Sequence, residues 1–144
     1  MKFRMLISIL TPILAVLIIS SCATTPQYIS PGRFDLIEVG VLYKGERIAA
    51  DNERYYRFTP PSSGGYTINV TGVDSDLSWE LHDNATDAYM FEEKSIIAAQ
   101  DNIGTVDEVG YTPVLNEGQE TYLIVFECDG ISGDYDLLII PGRQ

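Results

Sequence analysis

The sequence is short of positive charge and of the side chains that most often carry out chemistry. Nine lysines and arginines stand against 21 aspartates and glutamates, a net charge of −12. A surface of that sign repels phosphate backbones and excludes nucleic-acid binding. His82 is the one histidine and Trp79 the one tryptophan, and Cys22 and Cys128 are the two cysteines. There is no Gly-x-Ser-x-Gly, no His-Glu-x-x-His, no Cys-His-Asp set at recognisable spacing and no phosphate-cradling glycine loop. Two cysteines permit at most one disulfide, so no disulfide framework exists. Internal repeats, low-complexity segments and, beyond the first 21 residues, long helical periodicity are all missing.

What is present begins with an N-terminal segment of secretory type. Lys2 and Arg4 precede an apolar stretch from Met5 to Ile19. As a helix those 15 residues span about 22 Å, short of a hydrocarbon core of about 30 Å. Ser8, Thr11 and Pro12 further weaken a spanning reading. Ile19-Ser20-Ser21-Cys22 closes the segment. It resembles the lipobox of bacterial lipoproteins, which implies cleavage before Cys22 and lipidation of its sulfur. The alternative is a small-x-small site, Ser21-Cys22-Ala23, cut after Ala23 by ordinary signal peptidase, which leaves a soluble protein. Lipidation is preferred because every lipobox position fits and a tether begins directly after it.

Three regions follow: residues 1–21 as signal peptide, 22–32 as lipidated cysteine and short tether, and 33–144 as one domain. From Cys22 onward seven of the nine basic residues remain against all 21 acidic ones, a net charge of −14. That charge also repels anionic headgroups, so attachment to the membrane is expected through acyl chains on Cys22 rather than a basic patch. With Cys22 consumed, Cys128 is unpaired, and Glu127 and Asp129 beside it disfavour a thiolate. Ala23 at the second position, rather than aspartate, directs the protein to the outer membrane of a diderm envelope, by resemblance to sorting in enteric bacteria.

The domain alternates with period two between turn signals. Strands are expected over Phe34–Tyr43, with a break at Gly40, over Glu46–Ala50 after a Lys44-Gly45 turn, and over Glu53–Thr59, Tyr66–Thr71 and Asp76–His82. Ala88–Ala99 is ambiguous: Tyr89 and Phe91 alternate as in a strand and Glu92–Ala99 also suits a helical turn, and two short strands are expected there, with a loop over Gln100–Asp107. Glu108–Leu115, Glu120–Cys128 and Asp134–Pro141 complete the set. Tyr122, Ile124 and Phe126 alternate with Leu123 and Val125, so that strand has two apolar faces and belongs at a sheet centre. About eight short strands predict an all-β fold, an antiparallel β-sandwich of jelly-roll type.

Tyr55-Tyr56-Arg57-Phe58, Gly64 through Val70, Asp76 through Asp83, Leu115 through Tyr122 and Gly130 through Leu137 follow one another in an order that resembles the bacterial pre-peptidase C-terminal domain. The resemblance covers roughly Arg47 to Ile140. It implies a jelly-roll-like sandwich, usually an accessory module of secreted proteases, with members that bind collagen or calcium. Here no peptidase precedes the module, and the acidic insert from Asp87 to Asp107 departs from the family pattern.

No catalytic residue is expected. His82 lies on the polar face of its strand beside a turn and reads as a surface histidine. Calcium is the one cofactor considered: Asp74 and Asp76 flank a turn and Asp83 follows one strand later, but aspartates also initiate turns. Tyr55 and Arg57 share a strand face, and Tyr66 and Tyr111 lie near turns. These four are candidates for contacting a protein or polysaccharide partner, against the plainer reading that tyrosines fill the core with their hydroxyls at its edge. The expected function is a lipid-anchored, non-catalytic binding module of the cell envelope. The alternative is a small envelope hydrolase or an accessory subunit of a secreted peptidase.

Overall fold

Period-two alternation resolves into nine strands in the computed structural model, which describes residues 34–50, 52–90 and 92–142. The expected signal segment, Cys22 and the expected tether lie outside the described residues. The strands are β1 Asp35–Leu36, β2 Leu42–Ile48, β3 Glu53–Phe58, β4 Tyr66–Thr71, β5 Leu77–His82, β6 Ile96–Asp101, β7 Glu108–Tyr111, β8 Thr121–Glu127 and β9 Gly133–Pro141. One sheet has the order β1-β3-β8-β5-β6 and the other β2-β9-β4-β7. Apart from the parallel β1–β3 pair, these ladders are antiparallel. From β2 onward this is a jelly-roll order, and the fold is the expected β-sandwich.

The alternation explains the core. Leu77, Trp79 and Leu81 of β5 are fully buried, as are Tyr66, Ile68 and Val70 of β4, Leu123 and Val125 of β8, and Tyr135, Leu137 and Ile139 of β9. Both sheets direct one face of each strand inward, at the usual spacing of about 10 Å between packed sheets. β8 is the central strand of its sheet, in accord with its two apolar faces.

Several elements differ from expectation. The first region is divided: β1 has only two residues, a turn follows with Gly40 at φ 87°, and β2 starts at Leu42. Lys44-Gly45 is not a turn between strands. Gly45 sits inside β2 at φ 64°, where the register with β9 shifts between Tyr43 and Glu46. This is a bulge, for which a glycine in the left-handed region is suited. The strand expected over Glu108–Leu115 stops at Tyr111, and Leu115 rejoins through a single bridge to Gly64. Pro113 lies between them and has no N–H to give to a ladder.

The largest difference lies between Asp83 and Ala99. The chain forms helix α1, Ala85–Tyr89, then a short 3₁₀ helix, Glu93–Ser95, and only then β6. The side chain of Asn84 starts α1 by accepting the N–H groups of Thr86 and Asp87, as a helix N-cap should. What holds so short a helix is packing. Ala88, Phe34, Tyr122 and Ile124 are buried together, with Ala85, Tyr55, Tyr89 and Phe126 against them. The helix therefore covers the apolar outer face of the five-stranded sheet. Among the described residues, no helix is long and apolar enough to cross a membrane.

β9 begins at Gly133 for a steric reason. A Cβ there would overlap the Ser75 side chain and sit 2.8 Å from Asp74 Oδ1, the oxygen that accepts the Asp134 N–H at 2.6 Å. Gly133→Ala is expected to cost about 1–3 kcal/mol, read from urea melts. Adding Ser75→Gly should return part of it. A Gly133→Ala variant as stable as wild type would show that this turn yields freely.

Candidate functional site

The residues singled out from sequence fall in separate places. Tyr55 lies beneath α1, its ring edge-on to Phe34 with centroids 5.5 Å apart and 5.3 Å from Tyr89. Its hydroxyl donates to Glu53 Oε1 at 2.8 Å. Arg57 shares that sheet face and is paired with Glu120 at 2.8 Å. Tyr66 is buried, and its hydroxyl donates to the Ser62 carbonyl at 2.6 Å. Tyr111 is 39% exposed. Tyr66 and Tyr111 do meet: with Gly65, Thr112, Pro113 and Gly142 they line a recess of about 280 Å³. A second recess, about 300 Å³, is lined by Leu36, Ile37, Glu38, Val39, Thr59 and Pro61.

The aspartates do not form one cluster. Asp74 and Asp76 precede β5 and Asp83 follows it, so a six-residue strand of about 20 Å separates them. Asp74 caps the start of β9 and has the turn role that aspartate commonly fills. Among the described residues, no group of three or more His, Cys, Asp and Glu side chains is arranged to hold a metal ion. Glu108 is buried near Asp76 and Asp101. Burial pushes its carboxyl above the usual range, hydrogen bonds from Asn102 oppose this, and the two aspartates add to it.

His82 is not a surface residue: it is fully buried. The polar face of β5 is roofed by the segment that follows it, so alternation identifies the face of His82 and not its exposure. His82 Nδ1 lies 2.8 Å from Ser95 Oγ, and Nε2 lies 3.2 Å from Glu80 Oε2. Serine, histidine and glutamate are the residue types of a hydrolase triad. Here, however, the serine is 4% exposed and neither recess reaches any of the three. The set ties the 3₁₀ helix to β5.

Cys128 is exposed just after β8, with Sγ 3.2 Å from Ser78 Oγ. Its thiol is pushed up first by desolvation and then by Asp101, Asp76 and Glu127, with the Ser78 bond opposing. That environment keeps it a thiol, in the direction the flanking acids suggested.

A further surface, absent from the sequence-based expectations, lies on the four-stranded sheet. Cross-strand partners place Leu42, Leu138, Asn69 and Val109 in one row. Ile140, Thr67 and Tyr111 form the next row. These residues alternate with the buried Leu137, Ile139, Ile68 and Val70, so they face away from the core. Leu42 is 45% and Val109 37% exposed. On the other side of the first row lies an acidic one. Asp136 pairs with Thr71 and accepts the Gly45 N–H at 2.9 Å, while Asp107 accepts the Gly72 N–H at 2.7 Å. A sheet with one solvated face normally turns polar residues outward. β9 breaks that rule with Leu138 and Ile140. The signal was legible as a second apolar alternation in Asp136–Ile140.

No protein-family model matches this chain, and no curated protein sequence does. Solved structures do match. The chain is similar to the pre-peptidase C-terminal domain of a collagenase from Bacillus anthracis, at 22% identity over 78% of this chain and 99% of that one, with a TM-score of 0.56. It also matches PliG of Aeromonas hydrophila, a periplasmic inhibitor of g-type lysozyme, at 12% identity over 74% of this chain and 96% of that one, with a TM-score of 0.46. The first likeness bears out the fold expected from the sequence motifs.

Proposed function

We propose that this chain is a lipid-anchored, non-catalytic protein of the cell envelope whose β-sandwich binds a protein or polysaccharide. The observation that carries the binding role is the contrast between the two sheets. The apolar outer face of one is covered by α1, while the other leaves Leu42, Val109 and Tyr111 exposed beside a recess. Uncovered apolar faces on a soluble domain mark interaction sites. Support for the anchor is the Ile19-Ser20-Ser21-Cys22 motif after a secretory apolar run. Binding near a membrane fits a fold whose Ser95–His82–Glu80 set is reached by neither recess.

Two measurements test the reading. Intact-mass analysis of the wild type should show a mature chain that starts at Cys22 and carries lipid, recovered in the membrane fraction. Cys22→Ala should abolish the lipid mass and release the protein. An unlipidated wild type cleaved after Ala23 would overturn the anchor. For binding, cross-linking on intact envelopes should join the anchored protein to a partner. Absence of any partner, together with turnover of a generic ester or peptide by the purified protein, would overturn the non-catalytic binding role.

A further inference from the structure

We propose that the outer face of the four-stranded sheet docks a basic envelope protein, which covers Leu42, Leu138, Val109 and Ile140 with apolar side chains and meets Asp107 and Asp136 with lysine or arginine. The inference rests on the binding role above and adds the surface and the partner's chemistry.

The register orders the surface. The apolar row Leu42–Leu138–Asn69–Val109 lies between the Ile140–Thr67–Tyr111 row and the carboxylates of Asp136 and Asp107. Rows on one face are two residues, about 7 Å, apart along the strands. Apolar contact and charge pairing are therefore offered side by side, as at the core and rim of a protein interface.

Charge selects among occupants. A second copy would bring two chains of net charge −14 face to face, each with its own acidic row. An anionic bilayer surface is repelled for the same reason. A neutral polysaccharide brings no charge for the carboxylates to pair with, and the polar side chains within the rows are already engaged: Asn69 donates to the Leu138 carbonyl at 3.2 Å and Thr67 to the Gly142 carbonyl at 2.7 Å. A partner with an apolar patch flanked by basic residues complements both rows and is drawn in by the long-range field.

The test uses the full-length lipidated chain in bacterial cells. A photo-crosslinking amino acid replaces Val109 or Leu42, and in a control strain replaces Glu93 at the far sheet's covering segment. Mass spectrometry identifies each adduct. The expected result is an adduct with a protein of net positive charge from positions 109 and 42 and none from 93. Asp107→Asn with Asp136→Asn should reduce its yield about fivefold or more, as should raising salt on isolated envelopes from about 0.05 to about 0.5 M. Circular dichroism melts confirm that the doubly substituted chain remains folded. Adducts at 109 and 42 with a second copy, a lipid, a glycan or an acidic protein would overturn the proposal, and so would a yield indifferent to the two substitutions. Adducts from position 93 alone would remove this face while leaving the binding role intact. Adducts from no position would likewise remove this face, and the envelope cross-linking above then decides the binding role.

Discussion

Trp79→Ala is expected to destabilise the domain by about 3–5 kcal/mol, enough to leave much of it unfolded at 37 °C, since domains of this size are stable by only about 5–15 kcal/mol. The indole is fully buried in the core and its Nε1–H donates to the Glu108 carbonyl at 3.2 Å. Removal leaves a large cavity and takes one hydrogen bond from the Glu108 carbonyl. The site is tight from the other side too. A Cβ on Gly110 would overlap the Trp79 ring and lie 3.3 Å from Gln100 Cβ. Gly110→Ala should therefore destabilise on its own by about 1–3 kcal/mol. Combined with Trp79→Phe, it should cost less than the sum of the two single changes. Urea denaturation of the four proteins measures this. Additive costs would mean that the ring and Gly110 do not share the space.

The second large effect concerns a buried polar chain between the sheets. Tyr56 of β3 and Tyr135 of β9 lie hydroxyl to hydroxyl at 2.6 Å. Tyr56 donates its proton to Glu46 Oε2 at 3.1 Å, so Tyr135 donates to Tyr56. Arg54 completes the chain at Glu46, 3.2 Å away. Removing the Tyr56 hydroxyl strands Tyr135 and takes a donor from Glu46, whereas removing the Tyr135 hydroxyl deletes only the terminal donor. Tyr56→Phe is expected to cost about 2–3 kcal/mol and Tyr135→Phe about 1 kcal/mol. Equal costs, or the reverse order, would contradict that direction of donation.

The same pair gives the fold an alkaline limit. Burial, partly offset by Tyr56 and Arg54, pushes the Tyr135 phenol from 10.0 to about 12. Burial first, and then Tyr135, pushes Tyr56 higher still. In the unfolded chain both ionise near their ordinary value, so the folded state binds these protons more tightly. The stabilisation is complete below about pH 10 and falls as pH rises from about 10 towards 12, by about 1.4 kcal/mol per pH unit for each tyrosine. The Tyr56→Phe/Tyr135→Phe double variant should lose stability less steeply over that window than wild type. Parallel slopes would remove these two phenols as the cause.

Local pattern carried most of the fold. β3 and β4 were readable because two-residue alternation and the turn signals around them agree. β5 was placed to within a residue, and its inward Leu77-Trp79-Leu81 face was legible at once. Where alternation competed with a cap, it misled. Ala85–Tyr89 is helical because Asn84 caps a first turn and because an apolar sheet face waits across from Ala85, Ala88 and Tyr89. That face belongs to β3 and β8, strands distant in the chain, so no window around Ala88 contains the cause. His82 was misplaced for the same reason. Its strand face was identified correctly, but whether a polar face meets water depends on what folds over it.

The candidate site divides along the same line. The sequence alone determined a strongly acidic chain, an apolar N-terminal run that closes on Ile19-Ser20-Ser21-Cys22, a β-alternating region without a recognisable catalytic motif, and one cysteine, Cys128, beyond that run, because composition and short-range spacing are properties of the chain itself. Only the tertiary structure decided that Asp83 stands a strand's length from Asp74 and Asp76, and that Tyr55 is packed while Tyr111 remains half open. It alone assembled Leu42, Val109 and Leu138 into one uncovered row beside Asp107 and Asp136. Those five residues come from β2, β9 and the β7 region, up to 96 positions apart. A jelly roll pairs strands far apart in sequence, so a surface written across its register exists only once the sheets have closed.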